Sequence, residues 1–119
     1  MITYHTEAGS PVVEIGVTGD VTKSDLEGWM RRLRVDLEQN GKSRILEIIE
    51  HFKGIEPAAI WTDITMGVPL ARKVDRVAVV ADQPWIRAMS KLGVLFTKAE
   101  VRSFEPGELD EARAWIGAA

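Results

Sequence analysis

The chain contains no cysteine, which excludes disulfides, thiolate metal sites and cysteine nucleophiles and fits a reducing compartment. It has only two histidines, His5 and His51, too few for a histidine-built zinc site unless carboxylates complete it. No apolar run approaches the roughly 18 residues that a membrane-spanning helix requires. The opening stretch "MITYHTEAGSPVV" lacks the basic and apolar regions of a signal peptide. Basic excess is missing too: the net charge is −3, whereas a nucleic-acid-binding domain carries a positive footprint. Glycine-rich phosphate loops of the GxGxxG and P-loop kinds, and the GxSxG nucleophile pattern, are absent. These absences predict a cytoplasmic protein without a metal or cofactor and without nucleic acid as a partner.

What is present is ordinary globular composition, 45% hydrophobic and 28% charged over 119 residues, the size of one domain spanning 1–119. "ITYHT" (2–6) and "VVEIGVTG" (12–19) alternate like strands on either side of a Gly9-Ser10-Pro11 turn, predicting an antiparallel hairpin. Thr22 and Ser24 offer helix N-caps, Ser24 with Glu27 at capping-box spacing. Leu26, Trp29, Met30, Leu33 and Leu37 follow at helical spacing until Asn40-Gly41 ends the helix. "RILEIIE" (44–50) is a second strongly β run. A helix entered through Pro57 and weakened at Gly67 and Pro69 follows it. "RVAVVA" (76–81) is continuously apolar, as a strand covered on both faces should be. "QPWIRAMSKL" is helical, "AEVRSF" (99–104) a short strand, and Pro106-Gly107 leads into a last helix bearing Leu109, Ala112, Trp115 and Ile116 on one face. The order ββαβαβαβα predicts an α/β fold with a single mixed, mostly parallel sheet of about five strands and four helices.

Several of these stretches carry a resemblance. Gly19-Asp20-Val21-Thr22 opening the first helix, Trp61-Thr62-Asp63 on the second, "RVAVVADQPW" and "AEVRSFEPGELDEARAWI" together resemble the SpoIIAA-like family of small bacterial domains. That family is similar in fold to STAS domains, which include anti-anti-sigma factors, and more loosely to CRAL–TRIO lipid-binding domains. The resemblance implies the same five-stranded mixed sheet. It also implies a place to look for a phosphorylatable serine, at the start of the helix after the central strand. Here that region reads "EHFKGIEPAAIW" with no Ser or Thr between Glu50 and Trp61, so a phosphate switch of that kind has no hydroxyl to act on.

Ligands of open α/β sheets bind beyond the carboxyl ends of the strands, which directs attention to Gly19-Asp20, to 50–53, to Asp82-Gln83 and to 103–105. His51 with Glu50 or Asp82 has the chemistry of a base and its orienter, but no nucleophile accompanies them, and all of these are equally loop polars and helix caps. Glu47 interrupts a central strand, where a carboxylate needs a partner. The expected arrangement is a place near the margin of the sheet beside Arg44 or Arg76. The stronger lead is an apolar surplus. Trp85, Ile86, Met89, Leu95 and Phe96 on one segment, with Trp61 and Ile64 on the preceding helix, exceed the single stripe that docks a helix.

Those seven residues are the expected ligand-binding set, with His51 and Asp82 as a polar rim. The function expected is a non-enzymatic binding module that holds an apolar or lipid-like ligand. Alternatively it would lie peripherally on a membrane, helped by Arg72, Lys73, Arg87, Lys91 and Lys98. The other reading is a STAS-type protein-interaction or regulatory module lacking the phosphorylatable serine, with the same surface buried in a homodimer or against a partner.

Overall fold

A computed structural model describes residues 1–90 and 98–119, apart from the side chains of 60–65 and 89. The elements run β1 (Ile2–Thr6), β2 (Val12–Val21), α1 (Lys23–Gln39), β3 (Arg44–Ile55), α2 (Pro57–Ala71), β4 (Arg76–Ala81), α3 (Pro84–Ser90), β5 (Glu100–Phe104) and α4 (Leu109–Gly117), with a 3-10 turn at Pro106–Glu108 before the last helix. The five strands form one sheet in the order β1-β2-β3-β4-β5. β1 pairs antiparallel to β2, and every later pair is parallel.

This order has a geometric consequence. Each parallel crossover is right-handed as a rule, and each advances the sheet in the same direction. The three crossover helices must therefore lie on one face, and burial agrees. Val13, Ile15 and Ile45 of the sheet pack with Leu26, Met30 and Leu33 of α1 and Leu70 of α2. On the same face, Ile86 of α3 sits on Val79 and Ala81. The opposite face belongs to α4, whose Ala112 and Ile116 cover Leu46, Ala78 and Val80. β4 thus buries side chains in both directions, which explains its unbroken apolar sequence.

Local chemistry sets the element ends. Thr22 caps α1 by accepting from the N–H of Asp25 at 3.0 Å, while the Asp25 carboxylate accepts from the N–H of Thr22 at 3.1 Å. The capping box is therefore Thr22–Asp25, two residues ahead of the expected Ser24–Glu27 pair. The amide of Asn40 bonds the carbonyl of Asp36, and Gly41 at φ +71° turns the chain out of the helix. Helix α2 continues through Gly67 and Pro69 to Ala71. At its other end α4 is held by two arginines of neighbouring strands. Arg44 donates to the carbonyls of Ile116 and Ala118, and Arg76 to those of Trp115 and Ala118, so both guanidiniums satisfy the carbonyl end of the helix.

That arrangement corrects the expectation for Glu47. It lies opposite Ile15 and Val79 in the middle of the sheet, half-buried on the face of α1, α2 and α3. Arg44 and Arg76 project to the other face, because side chains three apart on a strand point opposite ways.

Candidate functional site

β3 runs five residues beyond Glu50, so 50–53 are strand rather than connection. Its alternation is broken there. Thr18 pairs with Glu50, Gly19 with Phe52 and Asp20 with Gly54, which leaves His51 and Lys53 as extra residues in two successive bulges. His51 adopts φ +52° and Gly19 φ +67°, the left-handed conformation that is uncommon for a residue with a side chain.

The turn from β4 to α3 is bonded to this bulge. The Asp82 carboxylate accepts the backbone N–H of His51 at 3.0 Å, and the Asp82 N–H reaches the carbonyl of Ile49 at 3.4 Å. Gln83 donates its side-chain amide to the carbonyl of Phe52 at 3.0 Å, and its own carbonyl accepts from Ile86 and Arg87 as the cap of α3. Its amide oxygen in turn accepts the indole N–H of Trp85 at 2.5 Å. The indole lies 6.0 Å from the Phe52 ring at a tilt of 55°, a favourable aromatic geometry. Trp85 nevertheless remains 52% exposed. Its polar atom is already satisfied within the chain, so the outward area it offers is apolar and held in place from two sides.

The expected site residues divide as follows. His51, Asp82 and Trp85 come together at the carboxyl rim of the sheet. Ile86 does not belong with them. It is 8% exposed and packs on the core, because the residue after an outward tryptophan on a short helix turns toward the sheet. The side chains of Trp61, Ile64 and Met89, and all of Leu95 and Phe96, lie outside the described residues, as does Lys91. Asp82 addresses the main chain of His51, where a base and its orienter would require a bond to the imidazole. Among the described residues no group of three His, Cys, Asp or Glu side chains could hold a metal ion.

The basic residues expected around Trp85 are dispersed. Arg72 and Lys73 close α2 and Lys98 precedes β5, all at the opposite end of the sheet. Lys73 is bound there to Glu38 at 3.0 Å. Arg87 is turned inward, donating to the carbonyl of Ala81 at 2.7 Å with Glu105 3.8 Å away. Exposed at the rim instead are Asp20, Glu50, Glu56, Asp82 and Glu105, with Lys23 and Lys53 among them. Acidic residues suit this end because it holds the positive N-termini of the helices. Glu56 shows this directly, accepting the N–H of Lys23 at the start of α1 at 3.1 Å.

Sequence reasoning did not identify Phe52 or Gln83 as partners of Trp85. The two bulges hide Phe52 by destroying the alternation that would mark a continuing strand.

Comparison with known proteins places the fold. The structure resembles that of an uncharacterized DUF3478-family protein with a SpoIIAA-like fold from Shewanella loihica PV-4, at 20% identity and TM-score 0.75, covering 98% of this chain and 92% of that one. It also resembles the anti-sigma factor antagonist SpoIIAA in its unphosphorylated form, at 13% identity and TM-score 0.63, covering 95% and 98% of the two chains. The phosphorylated Bacillus cell fate determinant SpoIIAA matches at 11% identity and TM-score 0.64, covering 93% and 97%. No curated protein matches in sequence. The sequence pattern of the SpoIIAA-like family matches residues 12–117, nearly the whole chain, and the chain therefore belongs to the SpoIIAA-like family.

Proposed function

We propose that this chain is a non-enzymatic interaction module that takes a protein partner on the carboxyl rim of its sheet, with Trp85 at the centre of the contact. The observation that carries this reading is the indole itself, half-exposed, internally hydrogen-bonded and braced on Phe52. Rigid aromatic side chains of this kind are the usual anchors of protein interfaces. The winding of the sheet favours a partner's surface over a small ligand. A crevice forms at the carboxyl ends where strand order reverses and adjacent helices part to opposite faces. The parallel strands here never reverse, so α1, α2 and α3 stand side by side. The similarity to SpoIIAA, an anti-sigma factor antagonist, agrees with regulation through a protein partner. With no Ser or Thr between Glu50 and Trp61, control by phosphate in that stretch is not part of the proposal.

Attachment to an anionic membrane is the weaker reading, since interfacial helices pair apolar residues with Lys and Arg, and the exposed charges of this rim are mainly carboxylates. An apolar ligand between α2 and α3 keeps its support from the apolar content of α2, including Ile60, Trp61 and Ile64.

A photo-crosslinking residue placed at 85 in the native cell distinguishes these readings, with the same residue at Val35, exposed on α1, as control. The expected result is a discrete protein adduct at 85 and none at 35. A lipid adduct at 85 would support the apolar-ligand reading instead, and equal labelling at both positions would sink the rim proposal.

A further inference from the structure

Away from the rim, α1 and α2 leave a groove of about 290 Å³ between their C-terminal halves. The groove is open to solvent along one side. On the α2 side its walls are the flexible side chain of Met66 and the short ring of Pro69, followed by Leu70 and Lys73.

The floor is apolar, formed by Met30 of α1 with Met66, Pro69 and Leu70 of α2. Methionines are adaptable walls that accommodate chains of varied shape. The mouth is charged. Lys73 Nζ lies 3.0 Å and Arg34 Nε 3.5 Å from the same oxygen of Glu38. Two cations therefore share one carboxylate, which leaves a single excess positive charge at the entrance of an apolar groove.

We propose that this groove binds a short-chain amphiphile bearing a carboxylate, its tail along the methionines and its head between Arg34 and Lys73. The site goes beyond the interaction proposed at the rim and stands at the other end of the sheet. Charge complementarity selects the head group. A carboxylate finds two cations already converged, whereas a neutral head gains little and an ammonium is repelled. Size selects the tail, because the volume of about 290 Å³ falls just under the roughly 300–1,000 Å³ of small-molecule pockets. A single short chain fits, and a two-chain phospholipid does not. Glu38 is then an internal competitor occupying the place that the ligand's head would take.

The test is titration of the full chain with decanoate, decanol and decylammonium below their aggregation limits, followed by calorimetry and by NMR of methyl-labelled methionines. Decanoate should bind saturably and move the Met30 and Met66 methyl signals, with decanol about tenfold weaker, as loss of a charge-assisted contact implies. Glu38→Gln should tighten decanoate several-fold. Arg34→Met with Lys73→Met should weaken it about tenfold or more by the same reasoning. Met66→Trp, which fills the groove, should abolish binding, with an unchanged circular dichroism spectrum showing that the fold is kept. Three results would each overturn the proposal: no saturable binding at millimolar decanoate, equal binding of the three probes, or weaker binding by Glu38→Gln.

Discussion

Among the described residues His51 carries the clearest backbone demand, a left-handed φ of +52° inside a strand. An L-residue held there costs on the order of 1–2 kcal/mol relative to glycine, and a β-branched one more. His51→Gly is therefore expected to raise stability by ~0.5–1 kcal/mol once the greater freedom of glycine in the unfolded chain is subtracted. His51→Val should lower it by ~1–2 kcal/mol. Urea unfolding of the two variants checks both, and equal stabilities would refute the strained-bulge account. The same residue shows a limit of sequence reading. "EHFKGI" contains the composition of a strand, but two unpaired residues scramble its period, so the strand reads as ending at Glu50. Trp85 was legible as unusual because an apolar ring at a helix start is visible in one dimension. Its bracing by Phe52 and Gln83 was not, since that depends on which strand lies beside the turn.

Among the elements, α1 owes its start to Thr22. Thr22→Ala removes the acceptor for the Asp25 N–H and should cost about 1 kcal/mol, whereas Ser24→Ala, already within the helix, should be nearly neutral. Unfolding curves that rank the two the other way would contradict the assigned cap. Both candidate caps were readable in the sequence; choosing between them required the backbone.

The edge strand β1 is tied to the same helix by one bond, from the Tyr4 hydroxyl to Asp36 Oδ2 at 2.5 Å, with Arg32 over the Tyr4 ring at 4.3 Å. Burial first, and then the bond to Asp36, push the tyrosine well above its ordinary pKa. For Asp36 burial acts upward, but the bonds from Tyr4 and Asn40 and the charges of Arg32 and Lys42 outweigh it and hold the carboxyl below its ordinary range. The signs differ. A raised tyrosine stabilises the fold below about pH 10 and loses that contribution as pH rises through its folded value. A lowered aspartate stabilises it above about pH 4 and loses that as pH falls through its folded value. The stability difference between the native chain and Tyr4→Phe should thus be flat between about pH 5 and 9 and shrink on either side. A difference that grew toward acid would rule this out.

For the molecule as a whole, the element order was legible because continuous apolar runs, caps and turn residues all agree on it. Strand order was not, and it decides the character of the rim. β3 and β4 lie between the two helical layers, while β1 borders a single strand. Hydrogen exchange should accordingly find the slowest amides in β3 and β4 and faster ones in β1 and α4. Uniform protection across the sheet would mean that the two layers open as one.

The sequential sheet also bears on how the chain is made. Each strand, as it leaves the ribosome, meets an edge that the preceding strand has already presented. Domains assemble from the N-terminus during synthesis, at about 5–20 residues per second, and pairings between neighbours in sequence are the quickest to close. The exception is the last helix, whose Arg113 must return to Glu14 across 99 residues. Until it does, Leu46, Ala78 and Val80 have no cover. The growing chain therefore passes through a form finished on one side and adhesive on the other, and the docking of α4 is the event that makes it safe.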